Sequence, residues 1–535
     1  MRISIIFCFF LTLFNANGQT SKLKDLSLQT GELESISVMP KMSPKHQRKH
    51  EVKGRFVEVF VSPKEVAQLY IRKSKVKTTY FNSDKKRFKV VLNKMIWKNV
   101  RFRLMDDVEL NERVFLISQA IDHMQKRHYI VAFEFDKSGL KLETKNPIVL
   151  VDEEDDENSM FQDDLVNNGN LQDKLVIYSR KYIRNKGSVD RIIVCGDDLK
   201  VLLNEKIRFP ESDMVKRIDN VYFQNEISIA ITAYCSSESR LYWPKNNVPN
   251  YSMKIYHFTN NLQNVIGYSM GKEGYYPTSF IPVINDRNEL IVAGFYSRSN
   301  FLYMHGLFLL KVNLNSKEII NNTFQEINKE TAAALMTVSA NRIAASKARR
   351  TGEFTMHEFN LRQLYFSATG EIKLIAEDVR SESTARMVYP FFVPTTNYHF
   401  GDLIVFELNN KGSINWATRI KKKSKSKRIY REQFVSFLGN QNQCNFIFNY
   451  NLRNLKKNKD AIRSRSKKSA PVLVRLDDNG KQSLEILKVP TSSKSVVFYP
   501  ESFREDENND GSDLIFKLKL RDRKKIGYYS FKYKQ

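Results

Sequence analysis

The chain has 535 residues, 41% of them hydrophobic and including 36 Phe and 24 Tyr, with a formal net charge of +27. That content excludes a disordered chain, and the length admits roughly two to four domains or one large repeat fold. Four cysteines, Cys8, Cys195, Cys235 and Cys444, are too few and too widely spaced for a disulfide scaffold.

Met1-Arg2, the apolar stretch Ile3 to Phe14 and the small-residue end Asn15-Ala16-Asn17-Gly18 have the three-part layout of a secretory signal peptide, with cleavage before Gln19. The apolar core is shorter than the ~20 residues that span a bilayer. Residues 1–18 are therefore expected to direct export, and the three cysteines left are expected to be buried thiols, with one bridge as the alternative. Residues 19–54 are polar, carry Pro40 and Pro44, and are read as a flexible lead-in. His46 and His50 stand four apart there, but on no convincing helix. Residues 55–535 contain no Pro/Gly/Ser-rich linker and are read as a single domain.

From Arg55 onward, short apolar runs rich in Val, Ile, Phe and Tyr alternate with Asn, Asp, Gly, Ser and Lys, the pattern of strands and turns. A strand–turn–strand unit recurs at Tyr129 (YIVAFEFDKSGLKLE), Arg191, Met253, Leu307, Leu361, Asp402 (DLIVFELNNKGSINW) and Val472 (VLVRLDDNGKQSLEI), with a looser copy at Thr79. Its Asp/Asn-x-x-Gly core suits a tight hairpin, because Asn and Gly tolerate positive φ. A second element, a polar start leading into an apolar strand, precedes many of these hairpins, as in NERVFLIS at Asn111, DKLVIYS at Asp173 and NELIVAGFYS at Asn288. Together the two elements make about four strands per unit, which predicts an all-β fold, a β-propeller of about seven to eight four-stranded blades. Kelch-like arrays and tandem sandwiches share the period, but sandwiches would need linkers. Arg55 to Val61 and the C-terminal strands Leu514 to Leu520 and Tyr528 to Tyr533 are left without complete units, so a blade shared by the N- and C-terminal strands would close the ring. Glu330 to Arg350 has helical composition, yet its register matches inner strands and it is read as strand. Val151 to Asn158 (VDEEDDEN) is read as an acidic loop.

With the signal ending NANGQT and hairpins such as DLIVFELNNKGSINWATRI, the chain resembles secreted β-propeller-like proteins of Gram-negative, Bacteroidetes-type bacteria. The resemblance implies a periplasmic, outer-membrane-surface or extracellular location. The Trp-Asp signature of one propeller class is not matched, and no functional residue carries over.

Few motifs point to chemistry. Gly267-Tyr268-Ser269-Met270-Gly271 matches the G-x-S-x-G nucleophile elbow, with His305, His357 and His399 downstream, but the required helix is replaced by Gly274, Pro277 and a further strand. A turn between blades is the expected reading. Asp506, Asn508, Asp510 and Asp513 space oxygen ligands as in a strand-linking calcium loop, and calcium is the one cofactor the sequence suggests. Two basic runs, KKKSKSKR (421–428) and KKNKDAIRSRSKK (456–468), are read as solvated loops, with a patch for a polyanion as the alternative. The expected role is an exported binding or scaffold module of the bacterial envelope, with an envelope protein or polyanionic glycan as partner and no specific nucleic acid. The alternative is a hydrolase or lyase acting on an acidic polysaccharide.

Overall fold

The computed structural model describes residues 33–40 and most of 55–534; within that span the longest undescribed stretches are 237–248 and 452–468. The expected signal segment 1–18, His46, His50 and the second basic run lie outside the described residues.

Eight antiparallel sheets of four or five strands follow one another along the chain, and together they form a β-propeller. Sheet 1 spans residues 55–94, sheet 2 103–154, sheet 3 159–207 and sheet 4 215–269. Sheet 5 spans 276–326, sheet 6 360–426, sheet 7 434–486, and sheet 8 is built from 497–534 together with 33–40. The first strands of successive sheets lie side by side: Arg103–Leu110 by Ser159–Val166, that strand by Val215–Asn225, then Tyr276–Ile284, then Asn360–Phe366. These are the inner strands of a ring.

The ring closes through the termini, but with a different N-terminal strand from the expected one. Arg55–Ser62 is the first strand of its own complete sheet. Leu33–Pro40, inside the stretch read as a lead-in, pairs antiparallel with Lys525–Lys534 from Leu33↔Phe531 to Pro40↔Lys525. It is the fourth strand of sheet 8, and it lies against the second and third strands of sheet 1.

The core runs between the sheets. In sheet 3, Leu175 and Ile177 pack with sheet 2, while Val176 and Tyr178 pack with sheet 4. In sheet 5, Leu290 and Val292 face sheet 4, while Ile291, Ala293 and Phe295 face sheet 6. Middle strands are thus buried on both sides, which is why they read as unbroken apolar runs rather than as alternation. Gly294, in the second strand of sheet 5, faces Phe280 beside a bulge in the first strand: a Cβ there would meet Ser279 O at 2.1 Å, so only glycine fits.

The recurring turn does two jobs. Asp477 Oδ1 accepts from the backbone N–H groups of Asn479 and Lys481, and Asn409 Oδ1 accepts from those of Lys411 and Ser413. Gly480 and Gly412 follow at φ +72° and +85°, which L side chains rarely adopt. The same turns latch onto the preceding sheet. Trp416 Nε1 of sheet 6 donates to Asp478 O at 2.8 Å, and Thr323 Oγ1 of sheet 5 donates to Lys411 O at 3.0 Å. All the hairpin copies that lie on described turns join the third and fourth strands, except that at Leu361, which joins the first and second strands of sheet 6.

Two expectations are corrected. Lys329–Leu335 is an α-helix, not a strand: Asn328 Oδ1 caps it by accepting from Thr331 N, and its alanines favour a helix. Ala332 and Leu335 pack it between sheets 5 and 6. Val151 to Glu154, read as loop, belongs to the strand Ile148–Glu154 on the edge of sheet 2. Its acidic residues have local partners, Asp152 with Arg127 at 2.5 Å and Glu153 with Arg191.

Cys195, Cys235 and Cys444 are buried thiols outside any disulfide, and burial pushes Cys195 and Cys444 up to about 12. Burial, with Lys317 nearby, pulls His257 down to about 4.

Two predictions follow from this packing. Truncation through Pro40 leaves sheet 8 with an open edge, and is expected to lower the thermal midpoint and promote self-association in light scattering. A midpoint equal to that of the full chain would contradict closure by this strand. For His257, the unfolded chain gains its proton near pH 6.5 and the folded chain only near pH 4. The stability carried by the neutral ring is therefore present above pH 6.5 and lost as pH falls through that window, by up to ~3 kcal/mol. Urea midpoints measured from pH 7 to 4 should fall more steeply for the wild type than for His257→Gln.

Candidate binding surface

Sheet 6 differs from its neighbours in the length of its middle strands. Ile372–Val388 and Phe391–Leu408 pair from Ile372↔Leu408 out to Val388↔Phe391. Flanking strands cover only the lower part, with Asn360–Phe366 reaching Glu377 and Ile414–Ile420 reaching Leu403. Residues 379–388 and 391–400 therefore leave the sheet as a ribbon, about 30 Å long at ~3.3 Å per residue. A β-bulge marks the exit, where Asp378 faces Gly401 and Asp402 between the pairs Glu377↔Leu403 and Val379↔Phe400. A Cβ on Gly401 would come within 2.8 Å of the Asp378 carboxylate, so glycine allows the crossing.

Beneath the bulge lies a buried ionic node. Glu377 is 1% exposed and accepts from Lys422 Nζ at 2.5 Å and from Arg362 at 2.6 and 2.9 Å. Asp402 accepts from Arg419 Nε at 2.6 Å and from the Lys422 backbone N–H at 3.0 Å. Arg419 also donates to Met336 O at 2.9 Å, tying the node to the end of the helix. The Lys422 ammonium stands 6.0 Å from the Phe400 ring and 5.8 Å from the Phe434 ring, within cation–π range. Desolvation pulls Lys422 below the usual lysine range against the attraction of Glu377, and desolvation raises Asp402 against that of Arg419.

The first basic run starts at this node. Lys421 and Lys423 are exposed, while Lys422 between them is buried. The chain then lays Ser424–Ser426 antiparallel on Tyr398–Phe400 as a third strand at the base of the ribbon. The run read as a loop is thus partly a strand, because the long strand Phe391–Leu408 offers a free edge beyond Leu403. Across the same ribbon, His399 Nε2 and Glu382 Oε2 are 2.9 Å apart.

The other residues singled out by sequence do not gather into a site. Ser269 ends the strand Asn264–Ser269 and its Oγ donates to Gly271 O at 3.2 Å. A turn at Lys272 to Tyr275 leads into the strand Tyr276–Ile284, so the motif is the connection between sheets 4 and 5, with no helix behind the serine. His305 belongs to sheet 5, where its Nδ1 accepts from Arg298 N at 3.2 Å beside Ser297 Oγ at 3.3 Å. His357 lies in the short strand Met356–His357, which pairs with Tyr303–Met304. Asp506 closes the strand Val497–Asp506 and Asp513 opens Asp513–Arg521, while Asn508 and Asp510 lie outside the described residues. Among the described residues no group of three His, Cys, Asp or Glu side chains is placed to hold a metal ion.

No protein-family model matches the sequence, and no curated protein matches it. Among solved structures the chain is similar to the β-propeller domain of the trilobed protease from Pyrococcus furiosus, at 10% identity over 82% of this chain and 98% of that one, with a TM-score of 0.31. It is similar to the polysaccharide lyase Uly1 at 7% identity, over 83% of this chain and 92% of that one, with a TM-score of 0.32. An α-L-arabinofuranosidase from Fusarium graminearum follows at 8% identity, over 69% and 98%, with a TM-score of 0.28. Likeness at this level carries nothing about the site.

The node yields an asymmetric prediction. Glu377→Gln strands two cations, one of them fully buried, and should cost about 3–5 kcal/mol in denaturant unfolding. Lys422→Met leaves Glu377 its Arg362 partner and should cost clearly less. Equal losses would show that Arg362 contributes nothing.

Proposed function

We propose that the protein is an exported binding module of the bacterial envelope, and that the ribbon of sheet 6 with its basic strand is the surface that holds an anionic ligand. The observation that carries this reading is the placement of the basic run. Lys422 is pinned inside the propeller by Glu377, so Lys421 and Lys423 are held outward at the foot of a projecting element. A tethered array of cations keeps less conformational entropy to lose on binding than a loose loop would. The net charge of +27 adds long-range attraction for any polyanion.

The buried carboxylates Asp190, Glu377, Asp402 and Glu407 each sit against a cation, Arg180, Lys422, Arg419 and Lys373 respectively. Each of these four is thus spent on a structural partner inside the sheets and is not offered to a ligand at the surface.

The test is retention of the chain from Gln19 on immobilised acidic polysaccharide at graded salt. Wild type should remain bound at moderate salt, and Lys421→Glu with Lys423→Glu should weaken binding at least tenfold with an unchanged melting midpoint. Retention equal to wild type by that variant would remove this surface from the account.

A further inference from the structure

Sheet 1 carries a row of opposed cations. Across its second, third and fourth strands Arg72 pairs with Lys75, and Lys75 pairs with Lys94. Paired residues of antiparallel strands share a face, on strands about 4.8 Å apart. The opposite face holds Ile71 and Val76 in the core shared with sheet 2. All three cations are exposed, and Leu92, next along their face, is 77% exposed. Like charges directly opposite one another destabilise a sheet. Even so, none of the three is in an ion pair among the described residues.

A second group of cations is tied to this row. Met95 N donates to Ser74 O at 2.7 Å and Phe102 N donates to Met95 O at 3.0 Å. These bonds join the turn Lys73-Ser74, the end of the fourth strand and the start of sheet 2. Met95 and Phe102 are buried, so the hairpin between them, with Ile96↔Arg101 and Trp97↔Val100, is anchored at its base. Its Lys98 and Arg101 are exposed, as is Arg103 just beyond. Both tight turns set a lysine at left-handed φ, Lys73 at 54° and Lys98 at 48°. Asn or Gly would sit there at lower cost.

Opposed cations, left-handed lysines and missing counter-ions are each relieved by an ordinary substitution, yet they meet at one place. In sheets 2 and 3, by contrast, Arg113, Arg127 and Arg191 each have a carboxylate partner. A bound anion would supply the missing charge. We propose that the edge of sheet 1 with the hairpin Ile96–Arg101 is a second polyanion-binding surface, and that its ligand is a chain of anionic sugars. Trp97 is half-buried under Lys98, at 4.3 Å, and edge-on to Tyr129, which leaves little ring for a nucleic-acid base to stack on. The turn residues Lys73-Ser74 and Lys98-Asn99 are polar, where an element that enters a bilayer carries apolar ones. A hydrated polymer with repeated charges needs neither.

This rests on the polyanion reading given above and extends it. Turn and hairpin lie at the end of the ring where second strands turn into third and fourth strands lead to the next sheet. Lys421 and Lys423 follow the fourth strand of sheet 6 at that same end. A long chain then joins both surfaces and gains from two linked contacts, whereas a short one fills each separately.

The experiment is calorimetric titration of the chain from Gln19 with a short heparin oligosaccharide, beside retention on long-chain heparin. Wild type should take up two oligosaccharides. Lys75→Thr with Lys98→Asn should take up one and be retained at least tenfold more weakly on the long chain. The same variant should melt higher than wild type at low salt, because the opposed charge and the left-handed lysine are gone. Two oligosaccharides bound by this variant, or a lowered melting midpoint, overturns the proposal. One oligosaccharide on wild type, lost in Lys421→Glu with Lys423→Glu, removes the sheet 1 surface and leaves the sheet 6 surface standing. Two bound by that sheet 6 variant removes the sheet 6 surface instead. Single-stranded DNA or phosphatidylglycerol vesicles binding more tightly than heparin, and losing that binding in the sheet 1 variant, overturns the choice of a glycan.

Discussion

Everything in this molecule depends on middle strands that are buried on both faces. A sheet with one wet face can stand on a single partner, but a strand such as Leu175–Ile183, with Leu175 and Ile177 turned to one neighbour and Val176 and Tyr178 to the other, needs a sheet on either side. Each fully buried apolar side chain contributes roughly 1.5–3 kcal/mol, and leaving one sheet without a neighbour would expose a whole row of them. A linear stack always has two such rows. A ring has none, and sheet 8 against sheet 1 is what removes them.

Charge is organised by the same constraint. Two cations buried between sheets are paired with carboxylates, Arg180 with Asp190 at 2.5 Å and Lys422 with Glu377. Such pairs cost desolvation, and hydrophobic replacements often do as well. Around Lys422 the cost fixes position: the node holds the bulge, the helix end and the start of the basic strand in one geometry. The ribbon leaves the propeller from a rigid base.

Much of this fold was legible in sequence, because its repeat is local. Unbroken apolar runs marked the two-sided strands, and Asp/Asn-x-x-Gly marked the turns whose side-chain oxygens cap backbone amides. The parts that were missed depend on partners far away or on weak local preference. Leu33–Pro40 (LESISVMP) sits in a largely polar stretch and ends in a proline, and its strand character comes from Lys525–Lys534, far along the chain. The segment after Asn328 mixes helix-favouring alanine with threonine, and the Asn328 cap adds to the alanines in favour of helix. At the candidate surface the run of lysines was visible, but nothing in KKKSKSKR distinguishes buried Lys422 from its exposed neighbours. The long ribbon was hidden because the sequence between its two strands carries no Asn-Gly turn signal.

The closing strand sets the order of assembly. Leu33–Pro40 is made long before its pairing partner Lys525–Lys534, which follows the other seven sheets in the chain. Until that strand arrives, seven sheets stand in an open arc with an uncovered face at each end. The longest loop in the protein is thus closed last, and contacts of such sequence separation form slowly. A nascent chain therefore spends its synthesis in the state most prone to pair with a wrong edge.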